Sequence, residues 1–333
     1  MTTIRQIAKE AGVSVATVSY VLNGTKPVTP EVERRVRLSI ERHQYTPSDV
    51  ARSLRRRTTS TVALVFGDIM NSFHVRLAKG VEDACTRQGY GVLLYNHDED
   101  EQKELKCLTS ARQRRVDGLV LVPTGRNLRY LRTLQKQGVA LVQVDRHLED
   151  LESDVVEVDD EAAMFQLVSA LRQAGYRRIA LVALPQTTST GRSRVQGYRR
   201  ALGDDSSGSK IVIGGFTKES GYESTGALLA PGPGRPDALV YSSGRQALGG
   251  LEWLKVHGVS VPSQLAVATY DDEDVFPILS PAVTAVENRA YDVGQKAIEL
   301  LTWRLQTRRT GEWRRVLLDT PIVVRESTPG LPH

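Results

Sequence analysis

The sequence predicts a small all-α head of helix-turn-helix type with a hinge helix, followed by an α/β body of two lobes, each on a parallel, doubly wound sheet. Three observations carry this. Residues 3–24, TIRQIAKEAGVSVATVSYVLNG, hold two capped, apolar-faced helices around one glycine turn. Residues 1–58 carry eleven Lys/Arg against five Asp/Glu, a balance of +6, whereas the whole 333-residue chain is only +5. From Thr61 onward, short β-rich apolar runs alternate with amphipathic helical segments.

The head is built from local signals. Thr3 and Gln6 form a capping box, so a helix starts at Ile4, with Ile4, Ile7, Ala8 and Ala11 on one face. Gly12 supplies the left-handed residue that ends it. Ser14 caps a second helix whose inward residues are Val18, Val21 and Leu22, stopped at Asn23-Gly24. Val15, Ala16, Thr17, Ser19 and Tyr20 are left outward or at the seam. Thr29-Pro30-Glu31 announces a third helix with Val32, Val36 and Ile40 inward. Such a unit can lay its second helix in the major groove of DNA, and a basic head on a nearly neutral body suits phosphate binding.

Residues 45–61, YTPSDVARSLRRRTTST, form the connection. Asp49 can cap a short helix to about Arg57. Leu54 among Arg52, Arg55, Arg56 and Arg57 suits a wedge in the minor groove, with Ala51 small enough to admit a partner helix. As residues alone, a plain basic linker explains the segment equally well.

In the body, TVALVFG, GVLLYN, GLVLVP and VALVQVD read as strands, with helices near 73–88, 99–114 and 127–137. RRIALVAL, KIVIGGF, DALVYS and LAVATYD repeat the scheme after residue 160. Ligands of such sheets bind beyond the carboxyl ends of the strands. The residues there are Asp68, Asn71, Phe73, Asn96, Thr124, Asp145, Arg146, Thr188 to Arg194, Ser242, Ser243, Asp271 and Asp272. Their hydroxyls, amides, carboxylates and arginines beside one aromatic suit a polar, hydroxyl-rich ligand; ordinary polar loop ends would read the same way.

Several classes are disfavoured. There is no apolar stretch of membrane-spanning length and no N-terminal signal region, so a cytoplasmic, nucleoid-associated location is expected. Cys85 and Cys107 have no metal spacing and are expected as buried, reduced thiols; no metal or other cofactor is expected. GxSxG, P-loop and strand-borne GxGxxG motifs are missing, which argues against an enzyme.

AGVSVATVSYVLNG, YTPSDVARSL, DIMNSFHVRLAKGVED, VDGLVLVP, VQVDR, GRSRVQGY and TPIVVRES match in order and spacing the lactose-repressor (LacI) family of bacterial transcription regulators. The chain resembles that family over essentially its full length. The resemblance implies a regulator, commonly a repressor, acting as a homodimer on a near-palindromic double-stranded DNA operator. It also implies a periplasmic-binding-protein-like body whose small-molecule effector alters lobe geometry. The implied division is a DNA-binding domain at 1–46, a hinge at 47–60 and an effector-binding and dimerisation domain at 61–333. Within the last, the N-lobe is about 61–159 with 290–317 and the C-lobe about 160–289 with 318–330.

Carried over by position, Val15, Ala16 and Tyr20 match base-reading residues. Thr3, Ser14, Thr17, Ser19, Asn23 and Tyr45 match phosphate-contacting or orienting ones. Ala51, Arg52, Leu54 and Arg55 match the minor-groove hinge, with Leu54 as the wedge. Phe73, His74, Arg146, Arg194 and Asp271 match effector-contacting positions, as do Asp68, Asp145 and Asp159 more weakly. Two departures stand out. Ser243-Gly244 replaces a frequent Asn-Asp, so a usual hydroxyl-binding amide is missing and the effector need not be a simple sugar. Ser48-Asp49 puts a carboxylate in the hinge. The chain ends without leucine heptads, so a dimer is expected. Alternatives are a regulator with a degenerate or corepressor-type pocket and a sugar-binding receptor, the latter opposed by the helix-turn-helix.

Overall fold

Thr3 opens the first helix as its spacing predicts: its hydroxyl accepts from Gln6 N at 3.4 Å and its N–H donates to Gln6 Oε1 at 2.7 Å. The computed structural model describes residues 2–45, 58–203, 209–232, 234–307 and 312–332. It forms two compact units, one through Thr59 and one from Ser60 onward. The hinge residues Ala51, Arg52, Leu54 and Arg55 lie outside the described residues.

The first unit holds α1 (Ile4–Glu10), α2 (Val15–Asn23) and α3 (Pro30–Arg42). Gly12 and Gly24 sit at φ +62° and +61°, where a side chain would be strained, and each ends its helix. Ile7, Ala8, Ala11, Val18 and Val36 are buried together, with Ile4, Val21, Leu22, Val32, Ile40 and Tyr45 packed around them. Three amphipathic faces thus close one miniature core.

In the second unit the chain runs β1 (Thr61–Phe66), α4 (Ser72–Gln88), β2 (Gly91–Asn96), α5 (Glu101–Gln113), β3 (Gly118–Leu121), α6 (Leu128–Lys136), β4 (Ala140–Val144) and β5 (Asp154–Val158). It crosses over into α7 (Asp160–Gln173), β6 (Ile179–Ala183), α8 (Ser189–Leu202), β7 (Ile211–Ile213), α9 (Lys218–Leu228), β8 (Ala238–Tyr241), α10 (Gly244–Val256), β9 (Ala266–Tyr270) and β10 (Thr284–Val286). It returns as α11 (Ala290–Thr307) and β11 (Arg315–Leu318), then ends in β12 (Ile322–Val323). The N-lobe sheet has the order β11-β5-β4-β3-β1-β2 and the C-lobe sheet β12-β10-β9-β8-β6-β7. All pairings are parallel except β10 with β12, an antiparallel edge to the otherwise parallel C-lobe sheet. The central strands β3, β4, β6, β8 and β9 are almost wholly buried, which explains their unbroken apolar sequence.

Helices α4 and α11 cross at two glycines. A Cβ on Gly80 would stand 2.2 Å from the Tyr291 carbonyl oxygen, and one on Gly294 2.6 Å from that of Leu77. Backbone cannot yield as a side chain can, so Gly80→Val is expected to lower stability by about 1–3 kcal/mol by forcing the helices apart. Urea unfolding checks this; an unchanged midpoint would contradict it. Among the described residues, no helix is long and apolar enough to span a membrane, and Cys85 and Cys107 are buried free thiols.

Candidate functional site

The second helix of the head presents its N-terminal end outward. Ser14 caps α2, accepting from Thr17 N at 3.1 Å, and its hydroxyl meets that of Thr17 at 2.9 Å. Val15 and Ala16 are exposed, and Tyr20, half-buried, lies under the Lys26 ammonium at 5.2 Å. Asn23 turns back to donate to the Ser19 carbonyl at 2.7 Å and to its hydroxyl at 3.1 Å, locking the last turn. Tyr45 packs against the head core. Arg5, Lys9, Lys26, Arg34 and Arg35 are exposed, whereas Arg37 pairs with Glu33, and Arg42 and His43 with Glu10. The first turn of α2 carries no acidic side chain and the head exposes several cations, a surface suited to a polyanion.

The second candidate site lies between the lobes at the carboxyl ends of the strands. Asn71, Phe73 and His74 come from the start of α4, Asp145 and Arg146 follow β4, and Leu184 follows β6. Thr190 and Arg194 come from α8, Phe216 follows β7, Ser243 follows β8 and Asp271 follows β9. Every one of these positions lies where a doubly wound sheet places a ligand. The structure thus brings Phe73, His74, Asp145, Arg146, Arg194 and Asp271 together.

It does not bring Asp68 and Asp159 into the lining. Asp68 Oδ1 accepts from Met70 N at 2.8 Å, closing the turn before α4. Asp159 caps α7 through Ala162 N at 3.0 Å and lines a separate cavity of about 100 Å³ with Glu157, Ser189, Ser193 and Arg315. Its neighbour Asp160 lines that cavity too and accepts from Arg194 Nε at 2.8 Å.

Arg194 is held on three sides. Its Nε donates to Asp160 Oδ1 at 2.8 Å, Nη1 donates to the Ser242 carbonyl at 2.5 Å, and the guanidinium lies 3.6 Å from the Tyr270 ring centre. Burial pushes the Asp160 carboxyl above its usual range, partly countered by Arg194. Arg146 donates both Nη atoms to Glu99, at 2.6 and 3.0 Å, and stacks 4.5 Å from the centre of Phe216.

Asp145 and Asp271 occupy equivalent strand ends in the two lobes, and both take the left-handed conformation, at φ +63° and +68°. That costs backbone energy, a pattern found where geometry serves a site. Asn288 Nδ2 donates to Asp271 Oδ1 at 2.9 Å. Arg146 Nε lies 3.5 Å from Asp145 Oδ2, and burial raises the Asp145 carboxyl to about 7. His74 is buried, and that burial draws its imidazole down to about 4; its Nδ1 stands 2.8 Å from the Asp68 carbonyl oxygen, to which the protonated nitrogen donates.

Leu184, Phe216, Glu99 and Asp160 escape the sequence reading. Phe216 ends an apolar run already recognised as a strand, and an aromatic at a strand's carboxyl end was the available signal. Asp160 could have been separated from Asp159 because only one of two adjacent aspartates can cap the helix.

The helix-turn-helix and two-lobed cleft agree with comparison to known proteins. Residues 3–48 match the model for bacterial regulatory proteins of the lacI family, and residues 168–328 match a periplasmic binding protein-like domain. Catabolite control protein A of Priestia megaterium is 33% identical over 331 residues, covering 98% of this chain and 99% of that one. The chain belongs to the LacI family. A transcriptional regulator CelR–cellobiose complex is 29% identical with a TM-score of 0.73, covering 98% of this chain and all of the other. The lac repressor dimer bound to operator and anti-inducer shares the fold at a TM-score of 0.84 and 20% identity, over 98% and 99% of the two chains. Members of this family are DNA-binding transcription regulators, and so is this LacI-family chain.

Proposed function

We propose that this LacI-family protein represses transcription as a homodimer on a near-palindromic operator and that a small polar effector in the interlobe cleft controls its grip. Residues 1–46 would read DNA, 47–60 would form the hinge, and 61–333 would bind effector and partner subunit. The observation that carries the reading is one chain with two separate sites: an outward helix end among exposed cations, and a strand-end cleft rich in convergent polar groups. The lac repressor dimer on operator and the CelR–cellobiose complex supply precedents for the two halves.

Val15, Ala16 and Tyr20 are assigned to base edges, the first two by apolar contact with groups such as thymine methyls and Tyr20 by its hydroxyl. Thr3, Ser14, Thr17, Ser19 and Asn23 would meet phosphates or orient the helix, with Tyr45 supporting it from the core. In the cleft, Phe73, Arg146, Arg194, Asp145 and Asp271 would hold the effector, with His74 as a neutral neighbour. Binding DNA places the working protein in the cytoplasm with the nucleoid.

Selection from a random double-stranded DNA pool with the full chain tests the reading. The expected product is an inverted repeat bound with a steep salt dependence, log K falling by about 0.9 per neutralised phosphate per log unit of salt. Tyr20→Ala should relax base preference within each half-site while leaving that slope nearly unchanged. Recovery of no common sequence would sink the proposal.

A further inference from the structure

A carboxylate of the chain itself occupies the cleft arginine. Glu99 lies in the turn between β2 and α5, where Asp98 and Glu99 take successive left-handed conformations at φ +50° and +58°. Two such residues in a row are costly, so the surrounding turn must impose them. Asp98 is gripped by Asn96 and Lys103, Asp100 caps α5 through Lys103 N at 2.6 Å, and His97 N–H donates to the Phe66 carbonyl at 2.9 Å. The result is an inward carboxylate lying as a fork on fork against Arg146, with side chains 17% and 6% exposed. Gly67, directly after β1, makes room for it: a Cβ there would stand 2.0 Å from Glu99 Oε1.

The space left in the cleft is about 30 Å³. That holds about one or two waters and no metabolite, since small-molecule sites occupy several hundred Å³. An entering ligand must therefore part the lobes or displace a side chain, and the side chain that holds an anion's place is the one to examine. Asp160 is held by Arg194, and Asp271 by Asn288. Glu99 has the longest of these acidic side chains and is 17% exposed, and what it leaves behind is a planar pair of guanidinium donors that matches another carboxylate.

We propose that Glu99 is a tethered stand-in for the effector's own anionic group, and that the effector is a hydroxylated carboxylic acid of the sugar-acid type. Its carboxylate takes Arg146 from Glu99, and its hydroxyls face Asp271 and Asp145. A neutral sugar offers nothing that replaces Glu99 on this fork. The inference rests on the cleft being the effector site.

Acetate, the minimal carboxylate, and acetamide, its neutral isostere, are the probes. They are titrated against the full chain at fixed pH and ionic strength while the apparent melting temperature is followed. A tethered competitor acts at an effective concentration of order millimolar or more, so removing it should matter greatly. Glu99→Ala is expected to lower the acetate concentration for half-maximal shift at least about tenfold relative to the unaltered chain. Gly67→Ala keeps Glu99 but fills its niche, and is expected to do the same even if Glu99→Ala folds poorly. Acetamide should produce no such gain, and Arg146→Gln added to either variant should erase it.

Equal acetate response in the unaltered chain and both variants would overturn the proposal, as would an acetamide response as strong as that to acetate. DNA selection with the same proteins keeps the two readings apart. A chain that binds its selected sequence but shows no acetate gain loses only the anionic effector. A chain that selects no sequence loses the regulator reading.

Discussion

Asp145→Asn is expected to stabilise the protein by up to about 4 kcal/mol at pH 8 and to leave it unchanged at pH 4, read as the difference in urea unfolding free energy. The cause is burial, which raises the Asp145 carboxyl from its ordinary value to about 7; Arg146 and Arg194 oppose the rise, and Asp160 and Asp271 add to it. Between about pH 4 and 7 the folded protein holds a proton that the unfolded chain has released. The native state therefore loses stability as pH climbs through that window, and the full penalty stands above it. Asparagine keeps the shape, tolerates the left-handed backbone and never ionises. Parallel pH profiles for the two proteins would show that Asp145 is ordinarily charged and refute the assignment.

Arg194→Ala is expected to cost about 3–5 kcal/mol, because it strands the Asp160 carboxylate in a buried site with its partner gone. Arg194 and Asp160 side chains are each 5% exposed, so the lost pairing falls in a nearly dry place. The double variant Arg194→Ala/Asp160→Ala should recover a good part of the loss, which separates the orphaned charge from the lost packing on Tyr270. Below its melting range the single variant should still bind operator and no longer answer to effector. A loss under about 1 kcal/mol would mean that water in the adjoining cavity or Tyr270 serves Asp160 in place of Arg194, and would refute the assignment.

The parts of the molecule that could be read from sequence are those whose pattern is local. Thr3, Ser14 and Thr29 announce helix starts because a cap and its acceptor are three residues apart. The strands β1 to β4 and β6 to β9 declare themselves as apolar runs, the inner ones unbroken because both sheet faces are covered. β5 does not, since Asp154 and Glu157 make DVVEV look like a loop. The structure buries both acids against arginines far away in sequence, Arg304 and Arg314 N for Asp154 and Arg315 for Glu157. The edge strands β11 and β12 and the short β10 likewise depend on where the chain recrosses between lobes.

In the cleft, strand ends pointed to Phe73, Arg146, Arg194 and Asp271, because topology alone places ligands there. The same rule had no means of finding Glu99. Its role depends on two left-handed residues, a glycine thirty-two positions earlier and an arginine forty-seven positions later. The hinge reading at Leu54 remains a sequence inference, as it falls outside the described residues.

The central claim is that occupancy of the cleft sets the hold of the head on DNA, and reciprocal titration addresses it most directly. A ligand chosen from a thermal-shift panel of sugars and sugar acids is titrated into full-length protein with and without the selected operator, and operator is titrated with and without that ligand. We predict that each changes the affinity for the other by one common factor, within the 5- to 150-fold range of about 1–3 kcal/mol usual for coupled sites, and that Arg194→Ala removes the factor without abolishing operator binding. A ligand that saturates the cleft and leaves operator affinity unchanged would contradict the claim.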